Sequence, residues 1–121
     1  MRVYKLGGPA LEQPELLAPL AAEVQGCPDR VLLVHGGGRT VERELAARAI
    51  ESRFVRGRRA TSPDAMAVVE MVLSGVVNRG LVDGLARAGV PAVGVSGRDG
   101  GLITARLDAE LGRAGRPERV D

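Results

Sequence analysis

Residues 31–45, Val-Leu-Leu-Val-His-Gly-Gly-Gly-Arg-Thr-Val-Glu-Arg-Glu-Leu, constrain the fold more than any other stretch. Val31 to Val34 is an unbroken apolar run with two β-branched residues, the pattern of a strand buried on both faces of a parallel sheet. Gly36, Gly37 and Gly38 follow, and from Thr40 apolar residues recur at helical spacing: Val41, Leu45, Ala46 and Ala49. The expected unit is strand, glycine turn, helix. Its physical use is to let backbone N–H groups approach an anion closely, with a helix N-terminus behind them. The spacing fits neither G-x-G-x-x-G nor G-x-x-x-x-G-K-S/T. A strand-to-helix turn also calls for glycine on geometry alone, so both readings stand at this point.

The 121 residues suit one domain, and 45% hydrophobic content is enough for a real core. Aromatics make up only 2%, so that core must be built from Val, Leu, Ala and Met. The formal charge of +2 is spread along the chain, and Tyr4 and Phe54 are the only aromatics. With no basic block and no stacking platform, nucleic acid is not an expected partner. Cys27 is the single cysteine, which leaves no intrachain disulfide framework and makes a reducing cytoplasm the simplest compartment. His35 is the only histidine, so no metal site built from Cys and His is expected. The N-terminal residues lack the apolar core of a signal peptide, and no apolar run approaches membrane-spanning length, so no membrane association is expected.

In chain order, Arg2 to Leu6 reads as a first strand ended by Gly7, Gly8 and Pro9. Lys5 sits inside it, where a buried parallel strand is normally apolar. Pro14 starts a helix to about Gln25, with Leu16, Leu17, Leu20, Ala21 and Val24 on one face. Gly57, among alternating residues from Arg53 to Thr61, suggests a hairpin. Ser62-Pro63-Asp64 combines an N-cap, a first-turn proline and a first-turn acid, and starts a helix to about Gly75. Ala65, Val68, Val69, Val72 and Leu73 form one stripe of it. Met66, Ala67 and Met71 form a second, which implies cover on two sides, one of them a further layer or a second subunit. Asn78 is read as capping or opening another helix that ends at Gly89, with Leu81, Val82, Leu85 and Ala86 inward. Ala92 to Val95 reads as a third buried strand, Ser96 to Gly101 as a turn-rich loop, and Leu102 to Arg106 as a short strand. A polar tail follows and ends as if entering another strand. Alternating strands and helices give the α/β class, a mainly parallel sheet with helices on both faces.

Lys5, Gly7, Gly8 and Gly36 to Gly38 fall at carboxyl ends of strands, the edge where open α/β sheets bind ligands. Two glycine turns and a lysine suit a transferring phosphate: amides donate to phosphoryl oxygens, and Lys5 offsets charge that grows in the transition state. The competing reading of Lys5 is an edge-strand lysine with its stem on the sheet and its head in water. Arg58 and Arg59 follow the hairpin glycine. Either could hold a carboxylate in a two-pronged pair, but spacing alone favours a solvated hairpin tip. Asp99 reads as a structural turn acid, His35 as packed or hydrogen-bonded, and Cys27 as packed in a connection.

Taken together, Lys5-Leu-Gly-Gly8, His35-Gly-Gly-Gly38, Gly57-Arg-Arg-Ala-Thr61, Glu70-Met-Val-Leu73, Val77-Asn78 and the run Ala92-Val-Gly-Val-Ser-Gly-Arg-Asp-Gly-Gly-Leu-Ile-Thr-Ala105 resemble the N-terminal half of the acetylglutamate kinase family, in the amino acid kinase superfamily. The resemblance implies a three-layer αβα sandwich. It implies transfer of the ATP γ-phosphoryl group to the side-chain carboxylate of N-acetyl-L-glutamate in arginine biosynthesis, with Mg2+ carried by the nucleotide. By the same resemblance, Lys5 contacts the transferring group, Gly7, Gly8 and Gly36 form its phosphate side, and Gly37 and Gly38 bind the substrate. Arg59 then holds the substrate α-carboxylate, against the preference from spacing. The helix from Pro63 to Gly75 resembles the family's homodimer helix.

Residues 1–121 are thus expected to form the substrate-binding and dimerisation domain. The family's second half, with the nucleotide-binding domain, a second catalytic lysine, an organising acid and a substrate asparagine, has no counterpart in them. The expectation is a half that does not turn over alone. The first strand starts at residue 2, without the N-terminal helical extension of arginine-inhibited members, so arginine feedback is not expected. Two alternatives remain: a kinase of carrier-protein-linked α-aminoadipate in lysine biosynthesis, and a non-catalytic binding or dimerising domain. The triple glycine and Gly57-Arg-Arg favour acetylglutamate.

Overall fold

The computed structural model of the chain describes residues 1–11, 13–107 and 115–120. β1 (Arg2–Leu6) and β2 (Val31–His35) pair in parallel, from Arg2 opposite Val31 to Leu6 opposite His35. Alternate residues of a strand face opposite ways, so the register defines two faces. Tyr4, Leu6, Leu33 and His35 share one. Above it lie α2 (Leu17–Gly26) and α5 (Asn78–Arg87), and Leu33 packs on a cluster of Ala21, Leu85 and Val90. The Tyr4 hydroxyl donates to Glu23 of α2 at 2.9 Å. Val3, Lys5, Leu32 and Val34 share the other face and are exposed, Leu32 by 42% and Val34 by 45%. The expectation of burial on both faces therefore holds on one, because α2 and α5 pack only on the Leu33 side. Lys5 is tolerated because it lies on the open side.

α1 (Gly8–Leu11) begins directly after Gly7, and a 3-10 turn over Pro14–Leu16 leads into α2. α3 (Gly38–Ala47) starts in the glycine run and stops short of Ala49, the last residue of the expected helical spacing. Ala49 takes a left-handed φ of 53°, its N–H bonds to the Ala46 carbonyl, and the Ile50 N–H bonds to Leu45. That is the two-bond helix stop usually built on glycine. The hairpin of β3 (Arg53–Val55) and β4 (Arg58–Ala60) turns on Arg56 and Gly57, both at positive φ, the twist such hairpins favour. The Ser62 hydroxyl accepts from the Ala65 N–H at 3.2 Å and caps α4 (Pro63–Glu70) as the sequence indicates.

That helix does not end at Gly75. α4 continues through a π-helical segment, Met71–Val77, into α5, and Asn78 has ordinary helical angles instead of breaking the helix. The Asn78 N–H reaches the Leu73 carbonyl, the i to i−5 bond of a π turn, so the extra residue is absorbed within the helix. Glycine in a helix costs only about 1 kcal/mol, too little to stop a helix packed along its length. Val41, Leu45, Ala65, Val68 and Val72 form a core cluster between α3 and this helix. The single helix Pro63–Arg87 has 25 residues and mean hydropathy 1.5 in its most apolar window, long and apolar enough by length and composition to cross a membrane. The expectation that no stretch approaches that length fails because it treated the segment as two helices.

α5 ends as the sequence indicates. Gly89 has φ 78°, its N–H bonds to Ala86, and the buried Val90 bonds to Leu85. Ala92 to Val95 is not a strand, and Val93 is 88% exposed. β-rich composition does not fix a strand without a ladder partner, and in the described residues β2 pairs only with β1. Asp99–Gly101 forms a 3-10 turn, and β5 (Ile103–Leu107) pairs antiparallel with β6 (Gly115–Val120). Residues 108–114 of the polar tail lie outside the described residues.

Candidate functional site

The two glycine turns meet at the carboxyl end of the parallel pair. The Gly36 N–H donates to the Leu6 carbonyl at 3.2 Å, and a Cβ on Gly36 would lie 3.9 Å from the Gly8 amide nitrogen. The Gly36 N–H is therefore engaged by the end of β1. Gly37 is buried at φ 150°, where a Cβ would stand 2.8 Å from Leu73 Cδ2 and 3.1 Å from Val77 Cγ2. Its immediate neighbour is the π segment. Gly38 and Gly8 are different: added Cβ atoms would meet nothing within 4 Å. The Val41 N–H bonds back to the Gly37 carbonyl. The Gly38 and Thr40 N–H groups precede it in the first turn, where helix geometry supplies no acceptor four residues back.

Lys5 is exposed on the open sheet face, opposite Val34. Arg59, on β4, is not a solvated tip. Its side chain is 15% exposed, Nη1 pairs with Glu42 and donates to Ser52 Oγ, and the guanidinium lies 4.8 Å over the Phe54 ring. Ser52 Oγ donates to Glu42 Oε1 at 3.0 Å, which closes the cluster. Sequence reasoning missed Glu42. The available signal was its spacing, four residues after Gly38 and so on the same side of α3. The structure brings Arg59 to the helix that Gly38 opens, whereas no described contact joins Arg59 to Lys5. Arg58 is exposed.

His35 contacts the Gly36 carbonyl through Nδ1 at 2.9 Å, and its Nε2 lies 3.2 Å from Asn78 Nδ2. Asn78, read from sequence as capping or opening a helix, is the first residue of α5 and a side-chain partner of the loop. Asp99 accepts from the Ser96 N–H at 2.5 Å, and this bond to the charged form holds its carboxyl below the usual carboxylate range. Arg98 contacts both Glu70 oxygens at 2.7 Å and ties that loop to α4. Cys27 is a half-buried free thiol. Beside the glycine turns, Leu6, Leu17, Val77 and Leu81 wall an apolar recess of about 590 Å³ with Thr40 and Arg43 at its margin.

A sheet edge with two facing glycine turns, on an α/β scaffold, is the setting for anion recognition. The sequence model of the amino acid kinase family matches residues 1–121, and the chain belongs to that family. The acetylglutamate kinase of Geobacillus stearothermophilus is 46% identical over 123 residues, covering 98% of this chain and 47% of the relative. That of Endomicrobium trichonymphae is 42% identical over 123 residues, covering 100% of this chain and 49% of the relative. The chain spans about half the length of the curated relatives it matches. The solved structure of smu.665 from Streptococcus mutans UA159 superposes with a TM-score of 0.79 at 24% identity, over 98% of this chain and 50% of that one, and so shares the α/β fold.

Proposed function

We propose that this chain is the substrate-binding half of an acetylglutamate kinase, which transfers the ATP γ-phosphoryl group to the side-chain carboxylate of N-acetyl-L-glutamate in arginine biosynthesis. The observation that carries the reading is 46% identity to a curated acetylglutamate kinase across 98% of the chain. The meeting of Gly8 with the Gly36–Gly38 turn supports it, because it brings the two glycine turns together at one sheet edge. In this reading Lys5 and the Gly7–Gly8 turn face the transferring phosphoryl group, and the first-turn amides of α3 from Gly38 onward bind the acyl amino acid. Arg59 keeps Glu42 on Nη1 and offers its other edge to the α-carboxylate. Gly36 and Gly37 shape the loop. Mg2+ arrives with the nucleotide, and the compartment is the cytoplasm, on the single cysteine. A homodimer forms through the outer face of Pro63–Gly75, where Ala67 and Met71 are exposed.

The test is titration of the 121-residue chain with N-acetylglutamate, then hydroxylamine trapping of acyl phosphate with ATP present. Saturable binding with no turnover is expected. Turnover well above a blank would overturn the half-enzyme reading. Absence of binding, or selective capture of carrier-linked α-aminoadipate, would overturn the substrate.

A further inference from the structure

Two peptides of the loop, Gly36–Gly37 and Gly37–Gly38, lack a Cβ on either side and are the easiest to reverse; the second is held by the Val41 N–H on the Gly37 carbonyl, which leaves Gly36–Gly37. Reversing it would exchange an N–H for a carbonyl on the side a ligand approaches. The structure shows what opposes this. The Gly36 carbonyl can only accept, so His35 Nδ1, at 2.9 Å, must carry a proton. In a neutral imidazole Nε2 is then an acceptor, and the group 3.2 Å away must donate, which fixes the Asn78 carboxamide with Nδ2 toward His35. Asn78 Oδ1 in turn lies against Gly94, so closely that a Cβ there would collide with it. Asn78 therefore joins three segments: the glycine loop, the long helix just past its π segment, and the chain at Gly94. Because the trans peptide is planar, pinning the Gly36 carbonyl toward His35 aims the Gly37 N–H the opposite way.

We propose that Asn78 is a positioning residue for the glycine loop: by holding His35 in its Nδ1–H form, it locks the Gly36–Gly37 peptide in one orientation. The structural part of this stands on the hydrogen bonds alone, and its functional part rests on the kinase reading above. His35 is the only histidine, so 15N-histidine labelling of the full 121-residue chain reports one imidazole. Protonated Nδ1 and unprotonated Nε2 are expected in the neutral ring, with Asn78→Leu shifting it toward the Nε2–H form that histidine favours in water. A wild-type ring already in the Nε2–H form, or an Asn78→Leu ring unchanged, overturns the proposal.

The second arm uses the complete kinase that contains these residues. Asn78→Leu and His35→Gln should each lower kcat/KM about tenfold, the scale of one hydrogen bond. His35→Asn places an amide nitrogen where Nδ1 was and should recover most of that loss, whereas a general packing role predicts equal damage from both His35 variants. Equal damage would overturn the positioning role, and this pair decides the matter if Asn78→Leu fails to fold. A complete wild-type protein inactive on N-acetylglutamate would defeat the kinase reading, while the imidazole signature still decides the clasp.

Discussion

The two glycine turns follow adjacent parallel strands and look alike in sequence, yet Gly37 in one and Gly8 in the other are glycine for different reasons. In the second, Gly37 is a packing residue: buried, at a φ other residues rarely adopt, with Leu73 and Val77 where a side chain would go. In the first, Gly8 has open space around it and ordinary backbone angles. A glycine forced by packing says nothing about ligands. A glycine with no strain and with room for a side chain asks for another explanation, and a phosphate approaching the amide supplies one.

The contrast is broken most forcefully at Gly37. Gly37→Ala should destabilise the chain by about 3–5 kcal/mol, combining backbone strain with overpacking against Leu73. Denaturant unfolding measures it. Leu73→Ala in the same chain should return the packing part but not the strain, so a double-mutant cycle separates them. A loss under about 1 kcal/mol for Gly37→Ala would place that glycine in the same class as Gly8.

Next come the two side chains that flank the turns. In the complete kinase, Lys5→Ala should lower kcat on the order of 10²–10³-fold with little change in substrate KM, because charge on the phosphoryl group grows only in the transition state. Near-normal kcat would return Lys5 to an exposed lysine on an open sheet face. Arg59→Ala should instead raise the KM for N-acetylglutamate by about tenfold or more, with a smaller effect on kcat, and Arg59→Lys should not restore it. If Glu42→Gln raised that KM as much as Arg59→Ala, the role of Arg59 would be to fix α3 and not to hold a carboxylate.

Sequence periodicity located most elements because their signals are local. The Ser62 cap, the Gly57 hairpin and the Gly89 stop each depend on residues within one turn of themselves. What it missed depends on partners far along the chain. Val31–Val34 and Ala92–Val95 are both short apolar runs, but the first has β1 beside it and the second has no ladder in the described residues. Ala49 ends α3 in a conformation that normally selects glycine, held there by Leu45 and Ile50 rather than by its own preference. Within the candidate site, Lys5 and the glycines were legible as a pattern. The Glu42–Arg59 pair and the Asn78–His35 bond join residues 17 and 43 positions apart, and no periodicity reports such contacts.

The smallest expected change in stability is the most informative about the first turn. Gly8→Ala introduces a methyl that meets nothing within 4 Å, at a helix-start position without positive φ. Its effect on unfolding should stay within about 0.5 kcal/mol. In the complete kinase the same methyl would stand between the Gly8 amide and an approaching phosphoryl oxygen, and should raise the KM for ATP on the order of tenfold, about one hydrogen bond. The two measurements together are decisive because they are expected to disagree. A stable chain with weakened ATP use means that glycine is kept for the ligand. A stable chain with unchanged ATP use would remove Gly8 from the phosphate cradle and leave the amides that open α3 as its anion-binding part.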